Sequence, residues 1–279
     1  MSNGQIVRLI PIAGSQFNGR AGYAGIAGNF PASNLADIQP KKVCQGGAGG
    51  GTIGIQVDLD LGADTAFDTI AALYTNLSLT ASWAVYGWTN AAGLPALGAE
   101  GPGDLILGSP NFGGFGVAPT TRERRRHGLL QGASITRRYI RFSLQDTAAA
   151  NPDGFVNCGN FVVGQSIRPE FNYELGSGRK IDDQSIIRVL PGGETVPVRG
   201  GRTPIWRGTW SNLSEAELRQ IYSLMLEVGI GSPILAIEEP DSVTGQCEGL
   251  HYGLLEGLDF NERVQLEKQR VDVRVRDLV

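Results

Sequence analysis

The 279 residues include 40 glycines and carry a formal net charge of −4. Glycine at that density argues against a mainly helical chain, and the acidic balance excludes long-range attraction to nucleic acid or an anionic membrane. With 41% hydrophobic residues, the chain can bury the core of one large domain or two modest ones.

The opening MSNGQIVRLIPIAG lacks the apolar core and small-residue cleavage site of a secretory signal. No later window approaches the roughly eighteen apolar residues of a membrane helix, so cytoplasmic synthesis without membrane insertion is expected. Ile6–Ile12 predicts a short strand. The glycine-rich stretch Ala13–Gly28, with Phe17, Tyr23 and the following Phe30, predicts an aromatic arm that orders against a neighbour. GGAGGG at Gly46–Gly51 lacks the lysine and hydroxyl residue of a phosphate loop and is read as a turn.

From Thr52 the β pattern is clear. Ile53, Ile55, Val57, Leu59 and Leu61 alternate with Gly54, Gln56, Asp58 and Asp60, which predicts a half-buried strand with its acids on the wet face. That parity accounts for Asp58, Asp60 and Asp64 without a calcium ion. Ile70–Tyr74 and Ala81–Trp88 flank the polar connector Thr75–Thr80 and predict two neighbouring core strands. In the second, Trp83, Val85 and Gly87 form the core face, and Ala84, Tyr86 and Trp88 form an apolar outer face expected to meet a partner.

Asn90–Gly103 is a loop, Leu105–Leu107 a short run, and Gly108–Pro119 a connector. RERRRH at Arg122–His127 cannot share a core; it is either a solvated loop or a patch for acidic groups of a neighbouring subunit or an anionic glycan. Arg137–Asp146 predicts a strand with Ile140, Phe142 and Leu144 inward and Tyr139, Arg141 and Ser143 wet. NPDG at Asn151–Gly154 is a turn, and Phe155–Gly164 returns as a strand.

These segments carry a resemblance. VDLDLG, IAALYTNLSLTASWAVYG, RRYIRFSLQD and NPDGFVNCGNFVVG, taken in order, resemble the galactose-binding-like, discoidin-type jelly roll, and more narrowly the version in minor tail proteins of bacteriophages with long non-contractile tails. The resemblance spans roughly Pro31 to Gly164 and implies a β-sandwich whose end loops, in glycan-binding members, form the site. It fixes no ligand residues here.

The remaining third reads differently. Ser166–Arg179 is an extended linker. Gln184–Leu190, the turn Pro191-Gly192-Gly193 and Glu194–Arg199 predict a hairpin, with Pro197 placing the second strand at an edge or subunit contact. Ile205–Trp210 is a short strand. Ser214 and Glu217 form a capping box, Leu213 and Leu218 a staple, and Leu218, Ile221, Tyr222, Met225 and Val228 an apolar stripe that ends at Gly229. Pro233–Ile237 and Tyr252–Leu258 are strands around the loop Glu238–Gly249. In the tail, Val264 and Leu266 differ in parity from Val271, Val273 and Val275, with Asp272, Arg274 and Arg276 between the valines; an exposed edge strand with a bulge is expected. A hairpin, a capped helix and further strands resemble the ring-forming domain of phage tail-tube and distal-tail proteins.

Reactive motifs are missing: no nucleophile elbow, zinc-binding helix, phosphate loop or Cys/His cluster occurs. Cys44, Cys158 and Cys247 read as free thiols, His127 and His251 as isolated residues, and Asp182–Asp183 and Glu238–Glu239 as solvated turn acids. The chain is therefore expected to be mainly β and no enzyme, with no cofactor, metal or catalytic residue. Its expected divisions are an arm over 1–30, a galactose-binding-like jelly roll over 31–165 and a β-rich assembly domain with one helix over 166–279. The resemblance implies a structural part of a phage tail tip in the virion. Its partners would be copies of itself in a three- or six-fold ring about the tail axis and the tail tube, hub and fibre proteins. Tyr86, Trp88, Arg124, Arg125, Arg126, Val273, Arg274 and Arg276 are the expected interface. The alternative is a module that binds host-surface glycan through Asn90–Gly103 or Gly108–His127, with Trp88, Phe112 and Phe115 as platforms.

Overall fold

A computed structural model describes residues 3–20, 26–49, 51–78, 81–96, 99, 101, 126–174, 176–240, 249–256, 262–263 and 269–278. The expectations for Tyr23, Leu105–Leu107, Phe112, Phe115, Arg124, Arg125, Cys247, Val264 and Leu266 lie outside the described residues, as does the side chain of Arg126.

The chain is mainly β. Its strands are β1 (Gln5–Leu9), β2 (Phe17–Gly19), β3 (Cys44–Gly46), β4 (Ala48–Gly49), β5 (Thr52–Thr75), β6 (Ser82–Trp88), β7 (Arg126–Thr147), β8 (Val156–Cys158) and β9 (Asn160–Ile167). The second half contributes β10 (Gly178–Asp183), β11 (Ile186–Val189), β12 (Thr195–Val198), β13 (Arg202–Leu213), the helix α1 (Glu215–Val228), β14 (Pro233–Ile237), β15 (Leu250–Leu255), β16 (Glu262–Arg263) and β17 (Gln269–Asp277).

The sandwich is organised by β5 and β7. The first half of β5 pairs with the end of β7, from Thr52↔Thr147 to Asp60↔Tyr139, and β6 continues that sheet through Trp83↔Leu144 and Val85↔Phe142. Register breaks after Asp60 and Phe67 then bend the pair, and Gly62 at φ +85° accepts the turn that an L side chain would resist. Beyond the bend, β5 pairs with β9 through Ile70↔Val163 and Ala72↔Phe161. Two strands thus serve both layers. Between the layers lie Ile53, Ile55, Val57, Leu59, Trp83, Val85, Ile140, Phe142 and Leu144 from the first and Phe67, Ile70, Ala72, Phe161 and Val163 from the second. Ile70–Tyr74 and Ala81–Trp88 are consequently not hydrogen-bonded neighbours, as the sequence suggested; they belong to opposite layers, because β7 intervenes beside β6.

Phe17 corrects the expected arm. It pairs opposite Leu59 and is buried against Phe161, its ring edge-on at 6.4 Å.

The second layer does not stop at the sandwich. The order β10-β13-β17-β15-β14-β1-β9-β5-β7-β6 is one antiparallel sheet, with β1 joining β9 to β14. The Val271, Val273 and Val275 face of β17 packs with Trp206, Trp210, Ile234 and Ala236 under α1. Ser214 Oγ accepts from the Glu217 N–H, the Glu217 carboxylate accepts from the Ser214 N–H at 2.7 Å, and the Gly229 N–H donates back to the Met225 carbonyl. Leu224 rather than Tyr222 completes the buried stripe with Ile221 and Met225; Tyr222 is 51% exposed. β17 is also no edge. It lies between β13 and β15, so its charged residues meet side chains of this same chain. The predicted hairpin forms as β11–β12, and Pro197 sits in a strand with one partner.

Candidate functional site

Among the several places where polar side chains gather in the described residues, the first is the outer face and bend end of the β5–β7–β6 layer. Antiparallel register puts Asp58 opposite Arg141, Asp60 opposite Tyr139, Tyr86 opposite Arg141 and Trp88 opposite Tyr139, so all six share one face. Arg141 is fully buried. Its Nε and Nη2 donate to Asp58 at 2.7 and 3.1 Å, and its Nη1 and Nη2 reach the carbonyls of Ala96 and Pro95 at 3.2 and 3.0 Å. Arg20 adds a second cation to Asp58. The guanidinium of Arg141 lies 5.5 Å from the Trp88 ring, which stacks on Tyr86. The wet face expected for Asp58 and Arg141 is therefore a buried ion pair, and Trp88 is covered by its own chain.

Toward the bend the network opens to solvent. Arg138 grips Asp60 with Nε at 2.8 Å and Nη2 at 3.0 Å, and its Nη1 donates to Asn90 Oδ1 at 2.7 Å. The Gly62 N–H also donates to Asp60, and the Asn90 N–H to Asp64 at 2.7 Å. The hydrogen bond from Arg138 holds the Asp60 carboxyl below its ordinary range, against the upward push of burial. Arg138 lies over the ring of Tyr139, 4.8 Å from its centre. Three of the five N–H groups of its guanidinium are engaged in these bonds.

The second place is a cluster on the helix-bearing face of the sheet. His251 is buried, with Nδ1 3.2 Å from Asp277 and Nε2 3.1 Å from Glu238, and its ring is stacked with Trp206. Arg179 clasps Glu238 from the other side at 2.9 and 2.6 Å. A carboxylate at each nitrogen favours the imidazolium, whose two N–H groups can both donate. Burial alone would lower the His251 value, but the bonds to Asp277 and Glu238 raise it above the ordinary one. Burial likewise pushes Glu238 up, and His251 and Arg179 override it, holding the carboxyl at about 2. Burial prevails at Asp277, which is raised despite His251. His251 and Glu238 were read from sequence as an isolated histidine and a turn acid; residues 13 positions apart meet because β14 and β15 pair.

The other expected residues have definite places. Val273 is core, 1% exposed. Arg274 lines an open groove of about 410 Å³ with Lys180, Arg207 and Glu256, and Arg276 bridges Asp182 and Glu256. Tyr86 is half-buried beside Trp88. His127 is buried against Tyr74, whose N–H donates to its Nδ1. Cys44 and Cys158 are free, buried and directly opposite each other in β3–β8; burial pushes the Cys44 thiol up to about 12. Among the described residues no three His, Cys, Asp or Glu are arranged for a metal ion. Asp58 and Asp60, considered for calcium, are taken by arginines.

No family model and no curated protein matches this chain. Solved structures do. A family 32 carbohydrate-binding module of C. perfringens NanJ in complex with galactose aligns at 17% identity over 56% of this chain and 98% of that one, with a TM-score of 0.34. The Clostridium perfringens module CpGH89CBM32-4 aligns at 10% identity over 53% and 93%, with a TM-score of 0.36. A GH29 fucosidase of Ruminococcus gnavus in complex with fucose aligns at 14% identity over 55% of this chain but 26% of its own, with a TM-score of 0.33. The alignment with the crystal structure of SpGH29 likewise spans 26% of that chain. At these values what the neighbours bind remains a property of the neighbours.

Proposed function

We propose that this chain is a carbohydrate-binding protein, and that the bend end of the β5–β7–β6 layer is where it takes its glycan. The observation that carries the reading is the Asp60–Arg138–Asn90 set beside Tyr139. A carboxylate, a guanidinium and an amide supply planar donors and acceptors for sugar hydroxyls, and the half-buried ring of Tyr139, one face of it under Arg138, lies next to them. Asp60 stays ionised, so the set keeps its charges over the neutral range. The buried Asp58–Arg141 pair fixes the strands beneath it, which limits the ordering cost of binding. The resemblance to galactose-binding-like sandwiches implies a site among end loops, and Asn90 begins one of the loops named from sequence. The test is a glycan array followed by calorimetry on the best ligand. Arg138→Ala is expected to lower affinity at least tenfold; an array with no ligand, or an affinity indifferent to that change, removes the proposal.

A second reading is favoured by a different observation: the hairpin β11–β12 stands outside the three hydrophobic clusters of the described residues, with its apolar side chains exposed. That suits a structural component that assembles with copies of itself, such as the phage tail-tip protein in the virion that the sequence resembles. The two readings are compatible, since a tail-tip protein can carry a glycan-binding sandwich. Mass spectrometry of washed virions tests this one, with the chain expected among the tail proteins and its absence counting against it.

A further inference from the structure

Cys44 and Cys158 are free thiols, fully buried, and the antiparallel register of β3 with β8 sets the two residues directly opposite each other. Their spacing follows from the backbone. The Gln45 carbonyl accepts from the Ala27 N–H at 2.9 Å and the Gln45 N–H donates to the Phe30 carbonyl at 3.2 Å, so Gln45 turns its peptide groups away from β8. The flanking Cys44 then turns its own toward β8, which makes Cys44 and Cys158 a hydrogen-bonded pair with Cα atoms about 5.5 Å apart. A disulfide spans Cα separations of about 4.4–6.8 Å, so the ladder holds the pair at the distance the bond needs. Opposed residues also share a face, and both side chains enter the same core cluster.

The surroundings say when such a bond can form. Burial pushes the Cys44 thiol up to about 12 and raises Cys158 as well, which keeps both sulfurs inert while the ladder is closed. β3 and β8 are three residues each, and a ladder that short can open locally while β5 and β7 stay paired. Cys44 ends the segment that carries the buried Ala32 and Leu35, and Cys158 leads into β9. A bond between them closes a ring that contains β5, β6 and β7, and with them Asp60, Asn90 and Arg138.

We propose that Cys44 and Cys158 are a modification site, joined into an intramolecular disulfide by a small disulfide oxidant such as oxidised glutathione. One protein thiol, deprotonated on opening, attacks a sulfur of the oxidant and expels a thiolate; the second protein thiol attacks the mixed disulfide and expels the other. Two protein thiols lose two electrons and two protons, and the oxidant takes up both as two thiols. The inference depends on neither the glycan nor the assembly reading.

The test uses the full chain, incubated folded and, separately, refolded in a buffer of reduced and oxidised glutathione, then alkylated in denaturant and digested for mass spectrometry. Peptides carrying Cys44 and Cys158 are expected to be joined in at least one of the two arms. The same linkage is expected to be roughly tenfold rarer in chain held in denaturant throughout, where the two residues meet only by random loop closure. The joined form is expected to melt roughly 5 °C or more above the reduced one, and Cys44→Ala to remove both the linkage and the shift. Thiols that are alkylated in both arms, glutathione left on either sulfur, or a bridge to Cys247 in place of this one overturns the proposal. So does a joined form that melts no higher than the reduced chain.

Discussion

Asp58 shows how a single position can be read in the right strand and on the wrong side of the solvent boundary. Alternation in Thr52–Leu61 puts it opposite the apolar face, and that parity holds; Arg141 from β7 and Arg20 pair with it, and the 95–96 carbonyls accept from Arg141. Sequence alone gives no distance between residues 83 positions apart, so the partner was not legible. The consequence is testable: Asp58→Ala leaves the Arg141 guanidinium buried without its carboxylate and is expected to cost about 3–5 kcal/mol. Chemical denaturation measures it, and a cost like that of a surface change would show that Arg141 does not depend on this partner.

His251 makes a prediction in pH. Its folded value lies above its ordinary 6.5, so the stabilisation it supplies is complete below that value and is lost as pH rises through the folded one. Glu238 runs the other way: depressed from 4.5 to about 2, it contributes above 4.5 and loses that contribution as pH falls toward 2. Asp277, raised from 3.8, opposes folding once pH exceeds that value. The His251 and Glu238 contributions together are fullest between about pH 4.5 and 6.5, and the parent should lose stability on the alkaline side. In His251→Asn the alkaline slope should vanish, which a series of thermal melts between pH 5 and 9 reads directly; an unchanged slope would assign it to other groups.

At the scale of elements, local chemistry was the most readable part of the chain. The capping box of α1 forms as the spacing of Ser214 and Glu217 requires, and Ser214→Ala is expected to lower stability by about 1 kcal/mol in thermal or chemical unfolding. No change in stability would mean the sheet alone holds the helix. Strand Pro233–Ile237 and the two strands of the hairpin were likewise legible, because Pro, Gly and alternation act over a few residues. What was not legible is pairing over long separations. β17 carries the charges of an edge strand, yet β13 and β15 flank it, and Arg207 and Thr209 meet Asp272 across the ladder. The helix stripe failed at one residue, Tyr222, because a helix lying on a sheet buries a narrower strip than its composition suggests.

At the scale of the whole molecule, β1 is the joint. Five residues near the start of the chain join β9 to β14, both more than 150 positions away, so the sandwich and the helix-bearing layer share one set of backbone hydrogen bonds. That continuity leaves the bend end of the sandwich and the hairpin as separate surfaces, the first proposed for a glycan and the second for a neighbouring copy. The candidate site was half legible: the loop beginning at Asn90 was singled out, whereas Asp60 and Arg138 join it only because β5 and β7 bend together.

The most direct measurement is a nuclear magnetic resonance titration of the labelled chain with the best ligand from the array. Resonances of Asp60 to Asp64, Asn90, Arg138 and Tyr139 are expected to shift in the parent and to stay in place in Arg138→Ala. Shifts confined to other parts of the molecule, or none with any glycan, would contradict the account.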